Sequence, residues 1–163
     1  MELFFKKIKL TVLDKYEVTD EKGNLVYDIR GQLISSGDRF RINDASGREV
    51  ASVYKKRLSV RDKYVIETAA GINTDVFRID TMRKVPEYRA KQIGWTLKGD
   101  FGKAHLRITE GLHTVAEIRP KLLSFKENLR INLRKDGDGL LAVALLLIGE
   151  ADNAKKPENA DTK

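Results

Sequence analysis

Cysteine is absent from the chain. That removes disulfides, Cys-ligated zinc, thiol nucleophiles and thiol redox switching. The chain has two histidines, His105 and His113, both in the stretch AHLRITEGLHTV. With Glu110 and Glu117 nearby they could be drawn as metal ligands, but the strand pattern around them reads as a solvent-facing hairpin. Neither GxxxxGK[ST] nor GxGxxG occurs, so a nucleotide lacks its usual backbone cradle. There is no GxSxG elbow, and no spacing of Ser, His and Asp singles out a triad. KDGDG at 135–139 begins like a calcium loop, but Leu140 and Leu141 stand where further oxygen ligands would be needed. The chain therefore reads as no enzyme, with no cofactor and no metal.

Long apolar runs are also scarce. The exception is LLAVALLLI at 140–148, nine residues without a charge, hydroxyl or amide. That is about half of the roughly 20 residues that a transmembrane helix needs. The start, MELFFKKIKL, is too short and too quickly charged for a signal peptide. A cytoplasmic protein without a transmembrane segment is the expectation.

What is present is charge and repetition. Charged residues make up 34% of the 163 positions and hydrophobic residues 41%, enough for one domain with a core. The net charge of +7 favours anionic partners. YEVTDEKGNLV at 16–26 aligns with FRINDASGREV at 40–50: aromatic, x, β-branched, x, Asp, two residues, Gly, two residues, Val. Two strands joined by a turn read this way. Asp20 and Asp44 would start the turns, and Gly23 and Gly47 would take positive φ. A second phrase recurs as KLTVLDKYEV at 9–18, QLISSGDRFRI at 32–42, RLSVRDKYVI at 57–66 and, loosely, KLLSFKENLRI at 121–131. The unit is a β-meander. Phe40 with Ile42, and Tyr64 with Ile66, should share a face. AAGINTD at 69–75 reads as a loop, and Pro86 and Pro120 belong at edges, bulges or loops.

The apolar run differs from everything before it. Asp138 can cap a helix, Leu and Ala favour one, and Gly149 is placed to end it, so a helix is expected over about 138–149. A helix apolar on every face must be buried on every face or lie in lipid. Many antiparallel strands close best as a barrel, and a wide barrel needs filling. The fold expected is mainly β: a closed antiparallel barrel of repeated hairpins around a central hydrophobic C-terminal helix. The domain would be 1–150, with 151–163 a disordered polar tail.

The two repeated phrases, IGWTLKGDF at 93–101, KLLSF and the late apolar helix together resemble the LURP-one-related family, over about residues 3–150. That resemblance implies the tubby C-terminal-like fold, also proposed for phospholipid scramblases. It further implies a non-enzymatic binding module attached peripherally to anionic phospholipid at the membrane. The basic residues chosen for that role are Lys55, Lys56 and Arg57, the densest cluster, with Arg83 and Lys84. Strand alternation opposes a single patch, because neighbouring charges then point to opposite sides. The alternatives are a protein-interaction or regulatory scaffold with a protein partner and no lipid ligand, and a scramblase-like protein whose helix enters the bilayer. Nucleic acid is disfavoured: no RNA-binding signature occurs, and the aromatics alternate as core positions. The sequence does not fix the oligomeric state.

Overall fold

A computed structural model describes residues 1–9, 14–34, 37–56, 63–83, 85–121 and 128–154. Twelve strands follow one another: β1 (Glu2–Lys9), β2 (Asp14–Thr19), β3 (Leu25–Ile34), β4 (Gly37–Asp44), β5 (Glu49–Lys56), β6 (Lys63–Thr68), β7 (Asn73–Asp80), β8 (Pro86–Ala90), β9 (Trp95–Asp100), β10 (His105–Glu110), β11 (His113–Pro120) and β12 (Asn128–Leu133). Each pairs antiparallel with its neighbours in sequence, and β1 pairs with β12, so the sheet is a closed barrel without an edge. A 3-10 turn (Asp136–Asp138) then leads into α1 (Gly139–Ala154), which threads the barrel.

The hairpin repeat forms as its residues require. In the β2–β3 turn Asp20 Oδ1 accepts the backbone N–H groups of Lys22 and Asn24, both at 2.9 Å, and Gly23 has φ +85°. In the β4–β5 turn Asp44 Oδ1 accepts those of Ser46 and Arg48, at 2.9 and 3.1 Å, and Gly47 has φ +87°. The same turn occurs a third time, where a loop was expected. Thr68 replaces Asp, its Oγ1 accepts the N–H of Ile72 at 2.9 Å, and Gly71 has φ +89°. β7 has already begun at Asn73. Thr68 masks this copy in the sequence, because a hydroxyl performs the job of the carboxylate. Pro86 opens β8 and Pro120 closes β11, so neither breaks the interior of a strand.

Strand alternation sorts the side chains. Val18, Ile29, Ile42, Ile66, Val76, Leu97, Ile108, Ile118 and Ile131 are fully buried and point inward onto α1. Phe40 joins Ile42 in the core, while Tyr64, in phase with Ile66, is half-buried at the barrel mouth. Along α1, Ala142 through Ile148 are at most 1% exposed. Each large side chain among them contributes roughly 1.5–3 kcal/mol of burial before entropy. The resulting helix lies inside the sheet, and no helix is long and apolar enough to cross a membrane among the described residues.

α1 runs five residues past Gly149, the expected stop. Gly149 has a packing role instead. A Cβ there would lie 2.7 Å from Phe101 Cε1 and 2.8 Å from Leu97 Cδ2, so the helix comes too close to β9 for any side chain. At the other end, Asp138 sits within the 3-10 turn that delivers the chain into α1.

Two substitutions test the central helix by urea denaturation. Leu145→Ala empties space at a fully buried site and should lower the unfolding free energy by about 2–5 kcal/mol. Gly149→Ala should lower it by about 1–3 kcal/mol through overpacking, although alanine is the better helix former. An unchanged midpoint for both would mean that α1 does not pack inside the sheet.

Candidate functional site

The up-and-down strand order sends alternate connections to opposite ends of the barrel. At one end, the entry rim, β12 hands the chain to α1. At the other, the exit rim, the last turn of α1 is bonded to β6, β7 and β8. The exit rim holds a shielded ion pair between helix and sheet.

Asp152, three residues beyond Gly149, receives three donors there. Arg78 Nη1 of β7 approaches its Oδ2 at 2.7 Å, Tyr64 OH of β6 donates to Oδ1 at 2.8 Å, and Tyr88 OH of β8 makes a short hydrogen bond to Oδ2. Asn153 Nδ2 donates to Tyr88 OH at 3.0 Å and to the Gly149 carbonyl at 2.7 Å, binding the last helical turn into the same cluster. Arg78 Nε also donates to Asp80 Oδ1 at 2.9 Å. The side chains of Arg78 and Asp152 are 19% and 15% exposed, so their ion pair is well shielded from water. A carboxylate at a helix C-terminus opposes the macrodipole. Asp152 is held there by the three donors from the sheet.

Burial, then the hydrogen bond to Asp152, holds the Tyr88 phenol well above its ordinary pKa of 10.0. For Arg78 burial works against the charge. The Asp80 hydrogen bond and the charges of Asp152 and Asp80 outweigh it, so the guanidinium is held more firmly protonated than usual. Tyr16 is likewise pushed up, by burial and then by the charges of Asp14 and Glu150. It packs between Phe5 and Phe40, with ring centroids 4.9 and 6.1 Å apart. The cluster is a clamp between helix and sheet. Beside it, a recess lined by Phe40, Val53, Lys55, Tyr64, Ile148 and Ala151 encloses about 10 Å³, room for a single water.

The basic residues chosen from the sequence divide around this rim. Lys55 is in phase with buried Ala51 and Val53, lines the recess, and sets its Nζ 5.9 Å from the centre of the Tyr64 ring. Lys56 is exposed and lies opposite Lys63, which pairs with Asp75 at 3.2 Å. Alternation thus separates Lys55 from Lys56. Arg83 is exposed in the β7–β8 connection, at the same rim as Lys56. Arg57 and Lys84 lie outside the described residues. His105 and His113 start β10 and β11 and so stand at opposite ends of the barrel.

The sequence hides the Asp152 cluster, because residues 151–154 look like the start of a polar tail. One signal was available: Arg78 alternates in phase with Val76, and an arginine on an inward face needs a buried carboxylate.

A closed antiparallel barrel filled by one apolar helix defines the structural class. The LURP-one-related family profile matches residues 1–149, and the chain belongs to that family. The same fold appears in the X-ray structure of an Arabidopsis thaliana protein, with a TM-score of 0.61 and 13% sequence identity over 92% of this chain and 91% of that one. No curated protein matches the sequence.

The tyrosines make the clamp sensitive to alkali. A phenol whose folded pKa is raised adds stability that is fully present below the unfolded value near 10 and is lost as pH rises through the folded one. Unfolding free energy should therefore fall above about pH 10, and Tyr88→Phe should flatten that fall. Asp152→Ala should cost about 3 kcal/mol at neutral pH, because Arg78 is left without its main partner. Equal alkaline slopes in wild type and Tyr88→Phe would remove the clamp from the account of stability.

Proposed function

We propose that the chain is a non-enzymatic binding module that docks its exit rim on anionic phospholipid surfaces. The observation that carries this reading is the different composition of the two rims. Among the described residues, those that connect strands at the exit rim, 81–83, 85, 101–104 and 121, hold three basic residues and no acidic one. Those at the entry rim, together with residues 134–138 that lead into α1, hold five basic and four acidic. The comparison is one of composition, set by strand order.

A surface that mixes cations with apolar side chains suits a membrane interface. Each Lys or Arg near an anionic leaflet adds about 1 kcal/mol, and apolar side chains enter the headgroup boundary. Among the described residues, Lys56, Arg83, Lys103 and Lys121 are exposed at this rim, and Met82, beside Arg83, is fully exposed. Lys56 and Arg83 are the headgroup contacts, with Arg57 and Lys84 as their chain neighbours. Lys55, drawn inward over Tyr64, contributes charge from inside the mouth. The tubby C-terminal-like resemblance points the same way, and the module would work at the cytoplasmic face of a membrane.

Sedimentation with vesicles tests this. The protein should pellet with vesicles rich in phosphatidylserine, stay in the supernatant with phosphatidylcholine alone, and be released by physiological salt added to a low-salt buffer. Lys56→Gln/Arg83→Gln should reduce pelleting at unchanged thermal stability. Absence of pelleting under every condition would discard the lipid reading and favour a protein-interaction scaffold.

A further inference from the structure

On the outer wall of the barrel, just below the exit rim, strands β9, β10 and β11 form a basic cleft. Its lining is Lys98, Gly99, His105, Leu106, Arg107 and Arg119, and its volume is about 220 Å³. Lys98 lies directly opposite Arg107 in the β9–β10 ladder. His105 is two residues along the same strand. Arg119 follows Ile118, the ladder partner of Leu106, and so stands beside His105. Four nitrogen-bearing side chains thus surround one opening, while Gly99 adds no side chain to fill it.

The arrangement carries net positive charge. Like charges directly opposite on a sheet repel, and Lys98 and Arg107 are such a pair. Arg107 meets Glu117 at 3.5 Å, with both side chains substantially exposed, which is a weak ion pair. Asp100 borders the cleft, but its Oδ1 accepts the backbone N–H of Lys103 at 3.0 Å. Arg119 Nη1 donates to the carbonyls of Leu106 and Ile118, at 3.1 and 2.8 Å, so its guanidinium is fixed in place. No carboxylate pairs with Lys98 or Arg119 among the described residues. A fixed guanidinium with further donors beside a second Arg and a Lys is the donor set that a phosphate dianion uses best. The cleft is smaller than the 300–1,000 Å³ typical of sites for larger ligands, which favours a small anionic group.

We infer that this cleft binds a phosphomonoester group through Lys98, His105, Arg107 and Arg119. The group can come from a soluble phosphate ester or from a lipid headgroup that ends in a monoester. The site does not rest on the docking of the exit rim.

The probe is inorganic phosphate, titrated into the full chain at constant ionic strength and followed by amide chemical shifts. Saturable shifts should centre on Gly99, His105 and Leu106, with a dissociation constant on the order of 1 mM. Lys98→Gln/Arg107→Gln should weaken binding by about tenfold or more, and Lys56→Gln/Arg83→Gln should leave it unchanged. Shifts that do not saturate, or a dissociation constant the same in all variants, would overturn the site. Vesicles of phosphatidic acid and phosphatidylserine, matched in charge, then separate the sources. Preferential pelleting with phosphatidic acid that Lys98→Gln/Arg107→Gln abolishes assigns the site to a lipid monoester. Equal pelleting alongside saturable phosphate binding assigns it to a soluble ester.

Discussion

A closed sheet of twelve strands cannot stand on hydrogen bonds alone. Closure removes the sheet's edges, yet it leaves a lumen that must be filled or flooded. Here α1 fills it, and the rest of the molecule is arranged around that requirement. The helix is apolar on every face because every face meets sheet. The inward positions of the strands are apolar, β-branched residues and leucines together with aromatics such as Phe5 and Trp95. Gly149 is bare because Leu97 and Phe101 already occupy the space.

Nonpolar packing holds a helix inside a barrel but fixes neither its depth nor its rotation well. The cluster around Asp152 supplies that specification. Three strands each contribute one donor, and the geometry is met only when Asp152 sits at one height and one angle. Buried polar groups of this kind are costly unless fully paired, which is what makes them selective between near-equivalent packings. The exit rim is therefore the end at which the plug is pinned to the sheet.

The sequence exposed the architecture through two periodicities. Alternation in FRINDA and KYVIET announced strands, and the Asp-x-x-Gly turns fixed the hairpin spacing. The uninterrupted run at 140–148 called for burial or for lipid, and the barrel supplies the burial. Three features stayed hidden for physical reasons. Thr68 disguised a third turn because a hydroxyl and a carboxylate accept the same N–H. Gly149 imitated a helix stop, since sequence cannot distinguish a glycine needed for φ from one needed for proximity. Asp152 looked like part of a solvated tail because its partners lie 64 to 88 residues away. The basic residues were legible as a group, but Lys55 and Lys56 separate once the strand phase is known. The cleft at Lys98 and Arg107 depends on register across three strands, which no local pattern records.

The position of α1 in the chain has a consequence for biogenesis. The ribosome delivers all twelve strands before the segment that fills them. Synthesis proceeds at about 5–20 residues per second, so for several seconds the nascent sheet has inward-facing isoleucines and leucines with nothing to cover them. Closure is delayed as well, because β1, made first, must wait for β12. The plug and the seam therefore arrive together, and the barrel gains its full cooperativity in one late event. Until then its apolar face lies open, the condition under which partly folded chains aggregate.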